Sequence, residues 1–200
     1  MPPSSAPFRL FEQTAHWFAR ARAALLDELP CRPGCHRCCI GLFPVTLLDR
    51  EAIKAGLSSL PSATREAIVD TAARQAGMIA AAVPRLAESR CVDQWPDADL
   101  DALAEQYRDL PCPALQKDGS CGVYAFRPLA CRSMGIPIET DGIVQGACEV
   151  QTSVPLVRLS SSFRREEDLL AEAEAEQLAA LRRKRGADGD ELLLPFAFLP

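Results

Sequence analysis

The chain has no run of about twenty uncharged apolar residues, which excludes a membrane-spanning helix. Met1–Phe8 is rich in Pro and Ser, with no basic stretch followed by an apolar one, so no secretory signal is expected. The expected compartment is the cytoplasm, where thiols stay reduced. Basic charge is also in short supply. The formal net charge is −5 before any thiolate ionises, and a general nucleic-acid binder would carry a basic patch instead. The run Arg182–Arg185 sits at a predicted helix end, where it compensates the helix dipole. No Gly-rich phosphate loop, dinucleotide fingerprint or Ser-His-Asp pattern occurs, so neither nucleotide binding nor triad hydrolysis is indicated. There is no internal repeat and no long low-complexity segment.

Cysteine, by contrast, is plentiful and grouped. Eight of the 9 cysteines form two sets: Cys31, Cys35, Cys38 and Cys39, then Cys112, Cys121, Cys131 and Cys148. A chain of 200 residues buries roughly 70% of its unfolded surface and needs no covalent staples. An odd cysteine count also fits a full disulfide framework poorly. Metal ligation is therefore the favoured use of these thiols.

Periodicity predicts a mainly α fold: a small domain of helices around an irregular cysteine-rich core, with a short β-hairpin. Phe11, Ala15, Phe18, Leu25 and Leu29 mark an amphipathic helix over Phe8–Leu29, ended by Pro30. Pro33 and Gly34 make Cys31–Ile40 a loop, and Gly41–Val45 a short extended piece. Thr46 reads as an N-cap with Asp49 at the capping-box position, and Gly56 as the stop of that helix. A helix from Pro61–Ser62 toward Ser89 carries Ile68, Ala72 and Ile79 and should break near Val83, before Pro84. Asp97–Leu110 is another helix, with an acidic first turn. This helical block is expected to fold back so that the second cysteine group meets the first. Pro111–Arg132 has little helical period, and Lys117–Ser120 is a turn. Ile136–Glu139 and Ile143–Gln145 form the hairpin. A final helix spans Ser162–Arg185, with Leu170, Ala173, Leu178 and Leu181 on its apolar side and Gly186 as its cap. Ala187–Asp190 reads as flexible, and Leu192–Pro200 as an apolar tail that docks on the body or on a partner.

Cys35-x2-Cys38 is a thiolate knuckle that suits tetrahedral zinc, at Zn–S of about 2.3 Å, and equally an iron–sulfur cluster. Eight thiolates exceed one mononuclear site. They accommodate two four-thiolate sites, one bridged or cluster site, or one site with the remainder packed or redox-active. In extended backbone Cys38 and Cys39 point to opposite faces, whereas a tight turn brings them together. Arg127 and Arg132 flank Cys131 and are read as donors to sulfur; Arg32 and Arg37 flank the first group and serve either sulfur or solubility. His36 is read as exposed, His16 as structural, Cys91 as a buried thiol outside the groups, and Tyr124 and Phe126 as core packing.

Cys31-Arg-Pro-Gly-Cys-His-Arg-Cys-Cys39, with Pro44-Val-Thr and Arg50-Glu-Ala behind it, resembles the start of the CxxCxxCC zinc- or iron-chelating family, the YkgJ-like cysteine-cluster proteins. Cys112-Pro-Ala-Leu, Asp118-Gly-Ser-Cys121, Tyr124, Arg127-Pro-Leu-Ala-Cys-Arg132 and Cys148 resemble the downstream signature of that family. The spacing of three residues between Cys31 and Cys35 departs from the motif. The resemblance covers residues 31–148 and implies chelation of Zn2+ or Fe, or an iron–sulfur cluster, by all eight grouped cysteines. Residues 1–30 then form a helix packing on the core, 31–148 the cysteine-cluster domain, and 149–200 a C-terminal helix and tail. The expected partner is a metal ion, with no nucleic acid and no membrane; the sequence names no protein partner and no reaction. Some relatives resemble a domain of flagellin lysine N-methylases, which makes an iron–sulfur enzyme of redox or group-transfer type the alternative. A thiol redox switch and an interaction module with structural zinc are further readings.

Overall fold

A computed structural model describes residues 6–23, 35–134, 138–140, 143–145 and 160–200. In chain order the elements are α1 (Ala6–Ala23), β1 (Pro44–Thr46), α2 (Leu47–Ser59), α3 (Ser62–Ala82), α4 (Asp97–Gln106), α5 (Leu129–Ser133), β2 (Ile138–Thr140), β3 (Ile143–Gln145), α6 (Ser161–Arg185), β4 (Glu191–Leu193) and α7 (Leu194–Ala197). The fold is mainly α with a short antiparallel hairpin, as the periodicity predicts. The chain forms two compact units, Met1–Cys38 with Leu129–Gln177, and Cys39–Pro128 with Leu178–Pro200.

The second unit begins with local chemistry. The Thr46 hydroxyl accepts from the Asp49 N–H at 3.2 Å, and the Asp49 carboxylate accepts from the Thr46 N–H at 3.0 Å. This closed capping box starts α2. Gly56 does not stop the helix, which continues to Ser59. It lies inside α2 against Phe126, and a Cβ there would come within 2.8 Å of the Phe126 Cβ. Gly56 is thus a point of close approach, not a terminator. Helix α3 ends at Ala82, and a 3₁₀ turn over Pro84–Ala87 follows, as the proline requires. Ile68, Ala72 and Ile79 are buried along α3. Helix α4 ends at Gln106, short of Leu110.

The tail completes this unit. Strand β4 pairs antiparallel with β1, in the register Pro44–Leu193, Val45–Leu192 and Thr46–Glu191. Leu192, Leu193, Leu194, Phe196 and Phe198 are all buried in the core that α2 and α3 line. The preceding segment is anchored as well: the Asp93 carboxylate accepts from the N–H groups of Asp190 (3.0 Å) and Glu191 (3.3 Å). Arg182 pairs with Asp190 at 2.9 Å and Arg185 with Glu51 at 2.5 Å, so two members of the basic run hold ion pairs. Gly186 ends α6 at φ +60°. Leu178 and Leu181 pack against the same core.

In the first unit, Leu10, Phe11, Trp17 and Ala21 form the buried side of α1, while Ala15 and Phe18 are half-buried. The buried stripe is therefore rotated from the predicted one toward Trp17, whose indole N–H donates to the Phe163 carbonyl at 3.2 Å. Leu25, Leu29 and Pro30 lie outside the described residues. Helix α1 packs on α5, a helix that the weak period of Pro111–Arg132 did not predict. Arg20 pairs with Glu166 of α6, and Leu170 and Ala173 are half-buried. Strands β2 and β3 pair as Ile138–Gln145, Glu139–Val144 and Thr140–Ile143. Strand β2 therefore includes Thr140, one residue beyond the predicted strand Ile136–Glu139. Ile136, Asp141 and Gly142 lie outside the described residues.

Candidate metal centre

The described cysteines of the first group, Cys35, Cys38 and Cys39, lie on a segment that tightens into a 3₁₀ turn over Arg37–Cys39. With three residues per turn, neighbouring side chains in such a turn diverge by about 120° and not the 180° of a strand. Cys38 and Cys39 are therefore in the tight-turn geometry. Cys35, Cys38 and Cys39 are half-buried, and His36 and Arg37 are exposed. Cys31, Cys148 and Arg32 lie outside the described residues.

Within the second unit the chain returns to Cys39. The Cys112 N–H donates to the Cys39 carbonyl at 2.8 Å, and the Gly41 N–H donates to the Leu110 carbonyl at 2.8 Å. Ile40 and Pro111 form a β-bridge between these bonds. Gly41 takes φ +113°, a backbone conformation that side chains rarely permit, and this lets the strand turn away after the bridge. Gln75 supports the loop from behind. Its side chain is 8% exposed, and its Nε2 donates to the Pro111 carbonyl at 2.8 Å. The sequence reading passed over Gln75, although position 75 falls on the same face of α3 as Ile68, Ala72 and Ile79. A polar residue on an otherwise apolar stripe is the signal that marks it.

Cys121 is held by a turn. Asp118 accepts from the Ser120 N–H (2.9 Å) and hydroxyl (2.6 Å), and these bonds hold its carboxyl below the usual aspartate range. Gly119 adopts φ +82°, Gln116 and Ser120 close the turn at 2.8 Å, and Leu115 bridges Cys121. Gly122 is pressed between Gln116 and Ile68, where a Cβ would meet Gln116 Nε2 at 2.8 Å. Cys112 and Cys121 both pack against the core and are half-buried.

Cys131 sits on α5 in the first unit, half-buried, next to Arg132. Arg132 is only 8% exposed, and its guanidinium lies 5.3 Å from the Phe11 ring centroid. Burying a cation is costly without compensating charge or hydrogen bonds. Arg127, in the other unit, lies 4.0 Å from the Tyr124 ring centroid. Tyr124 is 65% exposed, so it is not core; Phe126 is half-buried and packs on Gly56. His16 lies on the exposed side of α1. Cys91 is half-buried, not buried, and bridges Leu192; burial and then the Asp93 charge push its thiol up.

The donors are of the kind that a soft metal takes: thiols carried by loops and one short helix. Among the described residues no three His, Cys, Asp or Glu side chains are gathered as a metal site. What the second unit does bring together is Cys39 and Cys112, one from each group, through the backbone.

No curated protein and no solved structure matches the chain significantly. The sequence profile of one family matches residues 30–149, more than half the chain, and its description reads "Putative zinc- or iron-chelating domain". The chain belongs to this CxxCxxCC family.

Proposed function

We propose that the chain binds zinc or iron in the cytoplasm, through Cys31, Cys35, Cys38 and Cys39 from one group and Cys112, Cys121, Cys131 and Cys148 from the other. The observation that carries this reading is the Cys112 N–H bond to the Cys39 carbonyl at 2.8 Å. It joins two thiol-rich segments separated by the whole helical block. The half-burial of every described cysteine of the two groups fits the same reading, since thiolates at the protein surface would compete with water for the ion. Arg132, buried and next to Cys131 in the sequence, is a cation available to offset thiolate charge. In this organisation residues 1–30 form a helix packing on the core, 31–148 the cysteine-cluster metal-binding domain, and 149–200 a C-terminal helix and tail. A bound ion would supply a charged node that ties the loops together, so binding and folding would be coupled.

The test is metal content and absorption of untagged protein purified without oxygen. Stoichiometric zinc without a visible band supports a chelating site of structural type. Iron with acid-labile sulfide and broad visible absorption supports a cluster, and brings the iron–sulfur alternative forward. Cys35→Ser and Cys131→Ser are each expected to lose metal and stability. Retention of full metal content and stability by both variants overturns the proposal.

A further inference from the structure

The acidic residues of α4 do not all have the same explanation. Asp97 and Asp99 occupy its first turn, where the helix dipole favours negative charge, and Asp99 also pairs with Arg85 at 2.9 Å. Asp101 lies beyond that turn. It stands four residues after Asp97, on the same face, where two like charges repel. Asp97 and Asp101 are both exposed, and among the described residues neither has an ion-pair partner.

These two carboxylates border an apolar cleft of about 290 Å³ between α4 and β1. Its floor is formed by the buried Leu42, Leu103 and Leu193, and its sides by Phe43, Pro44 and Leu100. All of these residues belong to the second unit. The volume is just below the range of about 300–1,000 Å³ in which whole drug-sized ligands bind. It suits one large apolar side chain. An open apolar cleft rimmed by unpaired charge of one sign has the character of an interface anchor site, in which the pocket gives affinity and the rim selects the partner.

We propose that this cleft docks a segment of a partner protein that inserts one large apolar side chain and presents Lys or Arg to Asp97 and Asp101. Cationic side chains remove the Asp97–Asp101 repulsion, which an acidic or neutral partner leaves in place or worsens. The net charge of −5 favours approach of the same kind of partner.

The experiment is a titration of the isotope-labelled full chain with two synthetic peptides of equal length, followed by amide shifts. Both carry one Trp anchor; lysines flank it in one peptide and glutamates in the other. The Lys peptide is expected to shift the amides of Phe43, Leu100 and Ala104 saturably, and to bind about five- to ten-fold tighter than the Glu peptide. The double variant Asp97→Asn, Asp101→Asn should fold normally and lose most of that preference. Equal binding of the two peptides, shifts centred elsewhere, or a preference unchanged in the double variant overturns the proposal. So do concentration-dependent shifts of these amides without peptide, which would make a second copy of the chain the occupant.

Discussion

Gly56 illustrates how one residue is set by a neighbour far away in sequence. Phe126 occupies the space that a side chain at position 56 would need, and the nearest atom is the Phe126 Cβ, which cannot swing aside without backbone movement. Ala gains about 1 kcal/mol over Gly inside a helix. Overpacking of about 1–3 kcal/mol opposes that gain. We expect Gly56→Ala to be destabilising on balance, read as a lower denaturant midpoint. Glu191 gives a prediction with a pH signature. Burial, and then the carboxylates of Asp93, Asp190 and Asp49, hold it above the usual glutamate range. Between the ordinary value of 4.5 and the raised folded value, the native state binds the proton more tightly than the unfolded chain does. Stability from this group therefore falls as pH rises through that window. Glu191→Gln stays neutral, so it should melt higher than the natural protein near pH 7, and the advantage should fade toward about pH 4. Thermal melts of the pair at the two pH values decide this.

At the scale of elements, the tail is where the structure decides between two readings that the sequence left open. Leu192–Pro200 is apolar enough to serve a partner or the body, and the structure assigns it to the body. Strand β4 satisfies its backbone on β1, and Phe196 is buried among core side chains. Phe196→Ala should cost about 3–5 kcal/mol by the loss of buried surface and the cavity left behind. Equilibrium unfolding measures it, and a cost below about 1 kcal/mol would mean that the tail is not core. The α2 start was legible because a capping box is closed by residues three apart. The break at Val83 was legible because proline acts on its immediate neighbours. Helix α5 was not legible: five residues are too few to display a helical period, and packing against α1 stabilises it. The face of α1 was partly legible, since Phe11 lies on it while Trp17, not Phe18, is fully buried.

For the whole molecule, metal is expected to act on both folding and thiol chemistry. Removing the ion with a chelator from metal-loaded protein should lower the thermal midpoint and raise the number of thiols that react with a thiol reagent. If neither changes, the cysteines do not hold the fold through a metal. The proposed docking of a cationic segment belongs to this scale too, because the net charge of −5 acts in the same direction as Asp97 and Asp101.

The two cysteine groups, the turn that carries Cys121, the capping box and the helical character were determined by the sequence alone. Each depends on residue chemistry or on interactions within a few positions. Tertiary structure decided what no local pattern encodes: that Cys39 and Cys112 share a backbone hydrogen bond, that Gln75 supports their loop, that Phe126 closes on Gly56, and that the tail is core. The physical reason is common to all four. Each needs a partner distant in the chain, and distant partners are selected by the burial of apolar surface across the whole fold.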